Sequence, residues 1–312
     1  MALQVADTAR AFGAAGVGAA RALPIVGRVF GGSRRFELDG RVVFVTGAAR
    51  GIGAEAARQA HARGAQVALV GRRLKPLQEL AAQLGEGTAA FQADVSDLDA
   101  LQRAADATVA RFGGIDVVIA NAGIAPPSEP ILTIDPAEFE RTVDIDLLGQ
   151  WRTVRATLPA VIERRGHILV VASIYAFVNG ALNASYAASK AGVDQFTRAL
   201  RVELAHHGAT AGVAYLGFVE TDLVGDVFAQ QQIVEARSIA PSFVTRPIPV
   251  TRAGRTLVDG IESRAATVAA PGWIRPLLPL RGIAGTLMDE FMLANPGLSR
   301  AISHAERNHN EQ

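Results

Sequence analysis

The chain contains no cysteine in 312 residues. That excludes disulfides, thiol nucleophiles and thiolate metal sites, and fits a reducing, cytoplasmic setting. It also lacks an excess of charge: 31 basic against 30 acidic residues leave a net +1. Without a global field, nucleic acid is not an expected partner. No apolar run reaches the ~18 to 20 residues a membrane-crossing helix needs; the longest, such as 11–20, are about half that. The six histidines follow no HExxH or other ligand spacing, so no metal site is expected. Lysine is almost absent. Lys75 and Lys190 are the only two, and arginine supplies the other 29 basic residues.

One of those two lysines closes the stretch Tyr186-Ala187-Ala188-Ser189-Lys190, four residues after one of only three tyrosines. Random placement gives about 0.02 such pairs at i, i+4, the spacing that puts both side chains on one helix face. A guanidinium is a flat, permanently charged fork, whereas an ammonium is a compact point charge, so Lys190 reads as chosen for its amine. A tyrosine of pKa ~10 is a poor acid and base near neutrality, and an adjacent cation favours its phenolate. The pair reads as an acid/base unit, with a surface tyrosine packed on a lysine stem as the alternative.

From Arg41 onward, short β-branched runs alternate with Ala-rich helical patterns, as in repeated βα units around a buried parallel sheet. Strands are predicted at 42–45, 66–70, 89–93, 117–120, 167–171, 212–215 and 266–269. Helices are predicted at 53–63, 74–84, 98–112, 136–163, 185–206 and 250–262. Right-handed crossovers then give an α/β, doubly wound, Rossmann-like domain: a seven-stranded parallel sheet with helices on both faces, spanning 39–272. Residues 217–249 lack a clear period and read as a substrate lid. Residues 273–312 form a Pro-rich, then helical, C-terminal extension. Residues 1–38 form an N-terminal arm; its first 35 residues hold five arginines against Asp7 among apolar residues. The arm reads as a surface-packed segment, or as a basic apolar one in peripheral contact with a membrane.

Thr46-Gly47-Ala48-Ala49-Arg50-Gly51-Ile52-Gly53 joins the first strand to the first helix. Glycines there allow close backbone approach, and the helix N-terminus offers free N–H groups to a phosphate. At the end of the second strand, Val70-Gly71-Arg72-Arg73 has no acid to hold the ribose hydroxyls of NAD. Arg72 and Arg50 are suited to a 2′-phosphate instead, which points to NADP(H). Asp94 and Val95 follow the third strand and are candidates for adenine. Asn121-Ala122-Gly123 ends the fourth strand, leaving room for a cofactor ring. Ser173 ends the fifth, thirteen residues before Tyr186, so that hydroxyl and phenol can meet at one carbonyl oxygen.

The set TGAARGIG, Asp94, NAG, Ser173 and YAASK, in this order and spacing, resembles the short-chain dehydrogenase/reductase family over residues 39–272. Three residues between Gly47 and Gly51 are similar to its simple dehydrogenase/reductase branch rather than to the extended epimerase and dehydratase branch. The resemblance implies a Tyr186 general acid/base, a Lys190 that lowers the Tyr186 pKa and binds the nicotinamide ribose, and a Ser173 that holds the substrate oxygen. It also implies that Gly47, Arg50, Gly51, Ile52, Gly53, Arg72, Asp94, Val95, Asn121, Gly123 and Thr221 line the cofactor site, and that the protein is a homodimer or homotetramer. There are two departures. Asp146-Leu147-Leu148-Gly149 stands where the family often has Asn, whose backbone carbonyl is thought to hold a relay water, so Asp146 is a catalytic candidate with altered charge. Leu216-Gly217 replaces Pro-Gly beside the nicotinamide wall, with Thr221 still in reach of the carboxamide. The expected activity is NADP(H)-dependent hydride transfer between nicotinamide and an alcohol or carbonyl. The apolar lid residues Phe218, Val219, Leu223, Val224, Val227 and Phe228 point to a lipophilic substrate. A low-turnover nucleotide-binding scaffold or peripheral membrane protein of the same fold is the alternative.

Overall fold

A computed structural model describes residues 35–228, 233 and 242–310. The arm, apart from its last residues, and the middle of the lid therefore lie outside the described residues. Phe36–Gln312 forms one compact unit.

Seven strands form one parallel sheet in the order β3-β2-β1-β4-β5-β6-β7. They are β1 (Val42–Thr46), β2 (Gln66–Gly71), β3 (Thr88–Gln92), β4 (Val117–Ala120), β5 (His167–Ser173), β6 (Thr210–Leu216) and β7 (Thr267–Ala270). The helices are α1 (Gly51–His61), α2 (Leu74–Leu84), α3 (Leu98–Phe112), α4 (Pro136–Val143), α5 (Gly149–Glu163), α6 (Ala184–Leu204), the short α7 (Asp222–Phe228) and α8 (Ser242–Thr245), α9 (Val250–Glu262), α10 (Arg281–Leu293) and α11 (Pro296–Asn310). The doubly wound architecture is as expected, with boundaries unchanged or shifted by one or two residues apart from the helix expected over 136–163.

Alternation along each strand sends neighbouring side chains to opposite faces. Val43 and Val45 enter a core with Ala54, Ala57, Leu77, Leu80, Ala253 and Leu257, so α1, α2 and α9 cover one face. Phe44, Val118 and Ile168 enter a second core with Leu101, Val154 and Val193, so α3, α5 and α6 cover the other. Small residues bring α1 and α9 close together: a Cβ on Gly254 would lie 2.6 Å from Glu55 Cγ.

The helix expected over 136–163 is interrupted. After α4 the backbone widens into a π-helical segment, Asp144–Leu148, before α5 resumes. Such single-turn bulges accommodate an extra residue and frequently mark functional sites. Periodicity does not reveal this one, because the apolar pattern continues through it.

The chain reverses direction between β1 and β4, whose crossovers leave on opposite faces. In open parallel sheets the crevice at the carboxyl ends of the strands, at this switch point, receives the ligand. The opposite edge is structural. There His167 is fully buried and its Nδ1 lies 2.8 Å from Thr210 Oγ1. Burial first, then the Arg264 and Arg201 charges, pushes its imidazole from 6.5 down to about 3.

His167 therefore stays neutral in the folded chain but takes up a proton in the unfolded chain below pH ~6.5. The stability it contributes is present above that pH and is lost as pH falls toward about 3. Urea midpoints measured from pH 7 to 4 should show wild type losing about 1 kcal/mol per pH unit more than His167→Gln. Parallel pH dependences in the two proteins would refute this.

Candidate active site

The turn from β1 into α1 is built by hydrogen bonds to Thr46. Its hydroxyl accepts from Asn121 N (3.1 Å) and Ala122 N (3.4 Å), and its carbonyl accepts from Asn121 Nδ2 (3.1 Å). The loop after β4 is thereby tied to the glycine turn. Gly47 and Gly51 have φ of +67° and +58°, which L side chains rarely adopt. Gly53 has a different constraint, because a Cβ there would stand 2.4 Å from Gly47 O and 2.6 Å from Asn121 Nδ2. The start of α1 has no side-chain cap and no acid in its first turn. Uncapped N–H groups, the positive end of the helix dipole and a turn without side chains fit a phosphate. Ile52 is partly buried against the core and anchors the turn.

Arg72 and Arg50 flank this turn and are exposed, 60% and 56% by side chain. Each has a carboxylate neighbour: Arg72 Nε lies 3.9 Å from Asp94 Oδ2, and Arg50 Nη1 lies 3.3 Å from Asp222 Oδ2. Exposed pairs of this kind contribute little, so both guanidiniums remain available to a stronger anion. Asp94 uses its other oxygen to accept from Ser96 N and Oγ, at 3.0 and 2.8 Å. Val95 is buried and packs against Gly149, where a Cβ would lie 2.7 Å from Val95 Cγ2. Thr221 faces Gly51, where a Cβ would lie 3.4 Å from Thr221 Cγ2, and its hydroxyl accepts from Val224 N at 3.4 Å. The glycine turn and residues 221–222 thus lie against each other. On the lid, the rings of Phe218 and Phe228 lie 4.9 Å apart, and Val219 is buried and bridged to Ile248. Val224 is half-buried; the side chains of Leu223 and Val227 fall outside the described residues.

Ser173, Tyr186, Lys190 and Asp146 come together where β5 ends. Ser173 Oγ donates to Leu216 O (3.4 Å) and accepts from Tyr175 N (3.3 Å). Tyr186 and Lys190 share one face of α6, with Lys190 Nζ 5.3 Å from the Tyr186 ring centroid. Tyr175 packs edge-on against Tyr186 at 5.8 Å. Lys190 is only 5% exposed by side chain; its Nζ donates to Val171 O at 3.3 Å and lies 3.7 Å from Asp146 Oδ2. Asp146 is completely buried, and its Oδ1 accepts from Ile124 N at 2.7 Å. Gly123 permits this, since a Cβ there would lie 3.2 Å from that oxygen.

A phenolate favoured by Lys190 is not what the local electrostatics give. The Tyr186 phenol is held well above its ordinary 10, first by burial and then by the Asp146 charge, with Tyr175 adding to the rise; the Ser173 hydrogen bond opposes them. Burial pushes Asp146 up and Lys190 down, while each partner's charge favours ionisation of the other. The resting site is arranged around a protonated phenol.

Some participants were not legible in the sequence. Gln150 Nε2 donates to Val171 O at 3.0 Å, sharing the acceptor of Lys190. Tyr175 walls the phenol, and Asp222 competes for Arg50. Gln150 does stand four residues after Asp146, but with a π-helical turn between them that spacing is no guide to their contacts.

The model of the short chain dehydrogenase family matches residues 41–232. Cis-4-hydroxycyclohexanecarboxylate dehydrogenase of Sinomonas cyclohexanicum is 35% identical over 217 residues, covering 68% of this chain and 87% of that protein. 11-beta-hydroxysteroid dehydrogenase A of Sesamum indicum is 32% identical over 248 residues, covering 77% and 70% respectively. Among solved structures, a short-chain type dehydrogenase/reductase from Mycobacterium marinum superposes with a TM-score of 0.67 at 28% identity, covering 75% of this chain and 95% of that one.

The Gly53 geometry has a direct test. Gly53→Ala forces a methyl into the Gly47 carbonyl, so the turn must open. Nucleotide affinity should fall at least about tenfold, or ~1.4 kcal/mol, in a fluorescence titration. Wild-type affinity in a folded Gly53→Ala protein would show that the turn is not the phosphate cradle.

Proposed function

The chain belongs to the short-chain dehydrogenase family, and from that premise we propose that it is an NADP(H)-dependent oxidoreductase acting on an alcohol or carbonyl with a lipophilic frame. The observation that carries the reading is the convergence of Ser173, Tyr186 and Lys190 at the end of β5, beside a glycine turn with an uncapped helix N-terminus.

The residues present fit a nicotinamide dinucleotide. Backbone N–H groups of Gly51, Ile52 and Gly53 would hold the phosphates, and Arg72 and Arg50 a 2′-phosphate. Asp94 and Val95 would meet the adenine; Asn121, Gly123 and Thr221 would border the nicotinamide. When bound, the nicotinamide supplies the hydride to the carbonyl carbon, or takes it up in the reverse direction.

The chain's own groups handle the oxygen. Ser173 Oγ hydrogen-bonds the substrate oxygen and orients it toward Tyr186. As the carbonyl carbon is reduced and its C=O π bond gives way to C–H and O–H bonds, the Tyr186 hydroxyl gives its proton to that oxygen. In oxidation the phenolate takes the proton back. A positioned acid/base of this kind contributes about 10²- to 10⁴-fold. Lys190 Nζ is anchored by Val171 O and stands ready to steady the phenolate as it forms. The aromatic pair Phe218–Phe228 on the lid and the family relatives named for a hydroxycyclohexanecarboxylate and a hydroxysteroid both favour an apolar substrate frame.

Two measurements test the reading. NADPH oxidation should be screened against cyclic ketones, ketosteroids and fatty aldehydes, with Tyr186→Phe as the inactive reference. Lys190→Arg should fold normally yet lose at least about tenfold in kcat/KM, because a planar guanidinium cannot take the place of the ammonium. Full activity in either variant overturns the catalytic assignment, and nucleotide binding without turnover of any carbonyl favours the scaffold reading. Charge-assisted bonds from two arginines, about 1.5 to 3 kcal/mol each, give NADPH at least a tenfold advantage over NADH, and Arg72→Asp should erase it. Equal affinity of the wild type for the two nucleotides would rule out the NADP assignment.

A further inference from the structure

Asp146 places a third ionisable group inside the catalytic cluster. Its carboxylate is fully buried on the π-helical segment, 3.7 Å from the Lys190 ammonium, and only Oδ1 has a hydrogen-bond donor, Ile124 N. That amide bond would be equally well accepted by an Asn side-chain oxygen, so backbone geometry does not require a carboxylate here. What only the carboxylate provides is charge.

We propose that Asp146 is a positioning residue that balances the charge of Lys190 and so keeps Tyr186 in its proton-donor form, building the resting site to protonate a carbonyl oxygen. The proposal rests on the reading of Tyr186 as the proton-transfer group. It goes further by making the charge state of that group depend on the residue at 146.

Among the described residues, few groups face the pair. From α6 come Tyr186 and Lys190 themselves; from the turn after β5 comes Tyr175, uncharged and edge-on to the phenol. The neighbouring acids are engaged elsewhere. Asp144 is bound by Arg152 at 2.7 Å, and Asp194, one turn further along α6, accepts from Tyr215 Oη at 2.6 Å and from Arg281 Nη1 at 2.5 Å. Among the described residues, Asp146 is therefore the carboxylate that pairs with Lys190, and its charge also acts on Tyr186. A cation alone would favour the phenolate, whereas a cation paired with an anion largely cancels at the phenol. The signs agree: the Asp146 charge raises both Tyr186 and Lys190, so removing it lowers both.

The chain's composition makes this measurable without turnover. With two lysines and three tyrosines, full-length cofactor-free protein labelled at lysine Cε and tyrosine Cζ gives few enough carbon signals to follow one by one. Lys190→Arg and Tyr186→Phe assign them. In wild type the Tyr186 signal should remain that of the phenol past pH 10. In Asp146→Asn, which keeps the oxygen acceptor for Ile124, both the Tyr186 and Lys190 titrations should move to lower pH. With NADPH and a reducible ketone, the alkaline fall in kcat/KM should move down by about one pH unit or more, while the thermal midpoint tracks folding.

Unmoved titrations in folded Asp146→Asn would reduce Asp146 to an acceptor for Ile124 and overturn the proposal. So would a wild-type Tyr186 that ionises below its ordinary value, a result that needs no stable variant. Moved titrations with full activity in Tyr186→Phe would instead leave the charge coupling standing and defeat the catalytic reading.

Discussion

A lysine ammonium that is almost completely buried cannot be held in a protein interior without acceptors and a counter-charge. Lys190 has both: the Val171 carbonyl from β5 and the Asp146 carboxylate from the π-helical segment. The surroundings follow from that requirement. Helix α6 must lie against the end of β5, the segment between α4 and α5 must turn a carboxylate inward, and the loop after β4 must come close enough for Ile124 N to satisfy the second carboxylate oxygen. Four chain segments are thereby drawn to one point beside Tyr186.

Small residues make that convergence possible. Gly123 leaves room for the Asp146 carboxylate, and Gly149 lets α5 press onto Val95, just beyond the third strand. The Gly149 contact is closer than a Cβ allows, and a Cβ at Gly123 would have to push the carboxylate aside by a few tenths of an ångström. The wider turn of the π-helical segment shifts the register between α4 and α5, letting one helical course serve two partners. Ser173, Tyr186, Lys190 and Asp146 gather at the carboxyl end of β5, while the amino ends carry pairs such as Arg41–Asp116. A scaffold of buried valine, leucine and isoleucine carries the site.

The C-terminal extension belongs to this unit as well. Arg281, at the start of α10, bonds Asp194 on α6, which also receives the Tyr215 hydroxyl from β6. Asn179 bonds Asp289, and Leu182 packs with Ala301 and Ala305 of α11. The segment leading into α6 is thus braced from beyond the seventh strand. Nothing in the composition of 273–312 announces that role, because each contact depends on a partner about 90 to 120 residues away.

Local pattern was enough for much of this protein. Alternating β-branched runs and Ala-rich helices determine a doubly wound sheet because period 2 and period 3.6 bury different faces, and the scarcity of lysine singles out Lys190. The glycine turn, Asn121, Ser173 and Tyr186 were legible for the same reason: each sits at a strand end or helix start whose chemistry is local. The break at Asp144–Leu148, the burial of Asp146 beside Lys190, the Gln150 bond to Val171 and the elevated proton affinity of Tyr186 were decided only in the folded chain. An apolar period says which face of a helix is buried but not where an extra residue widens its turn. The ionisation of a buried group depends on which charges the fold brings within a few ångströms and on how much water it removes, and neither is a property of neighbouring residues in sequence.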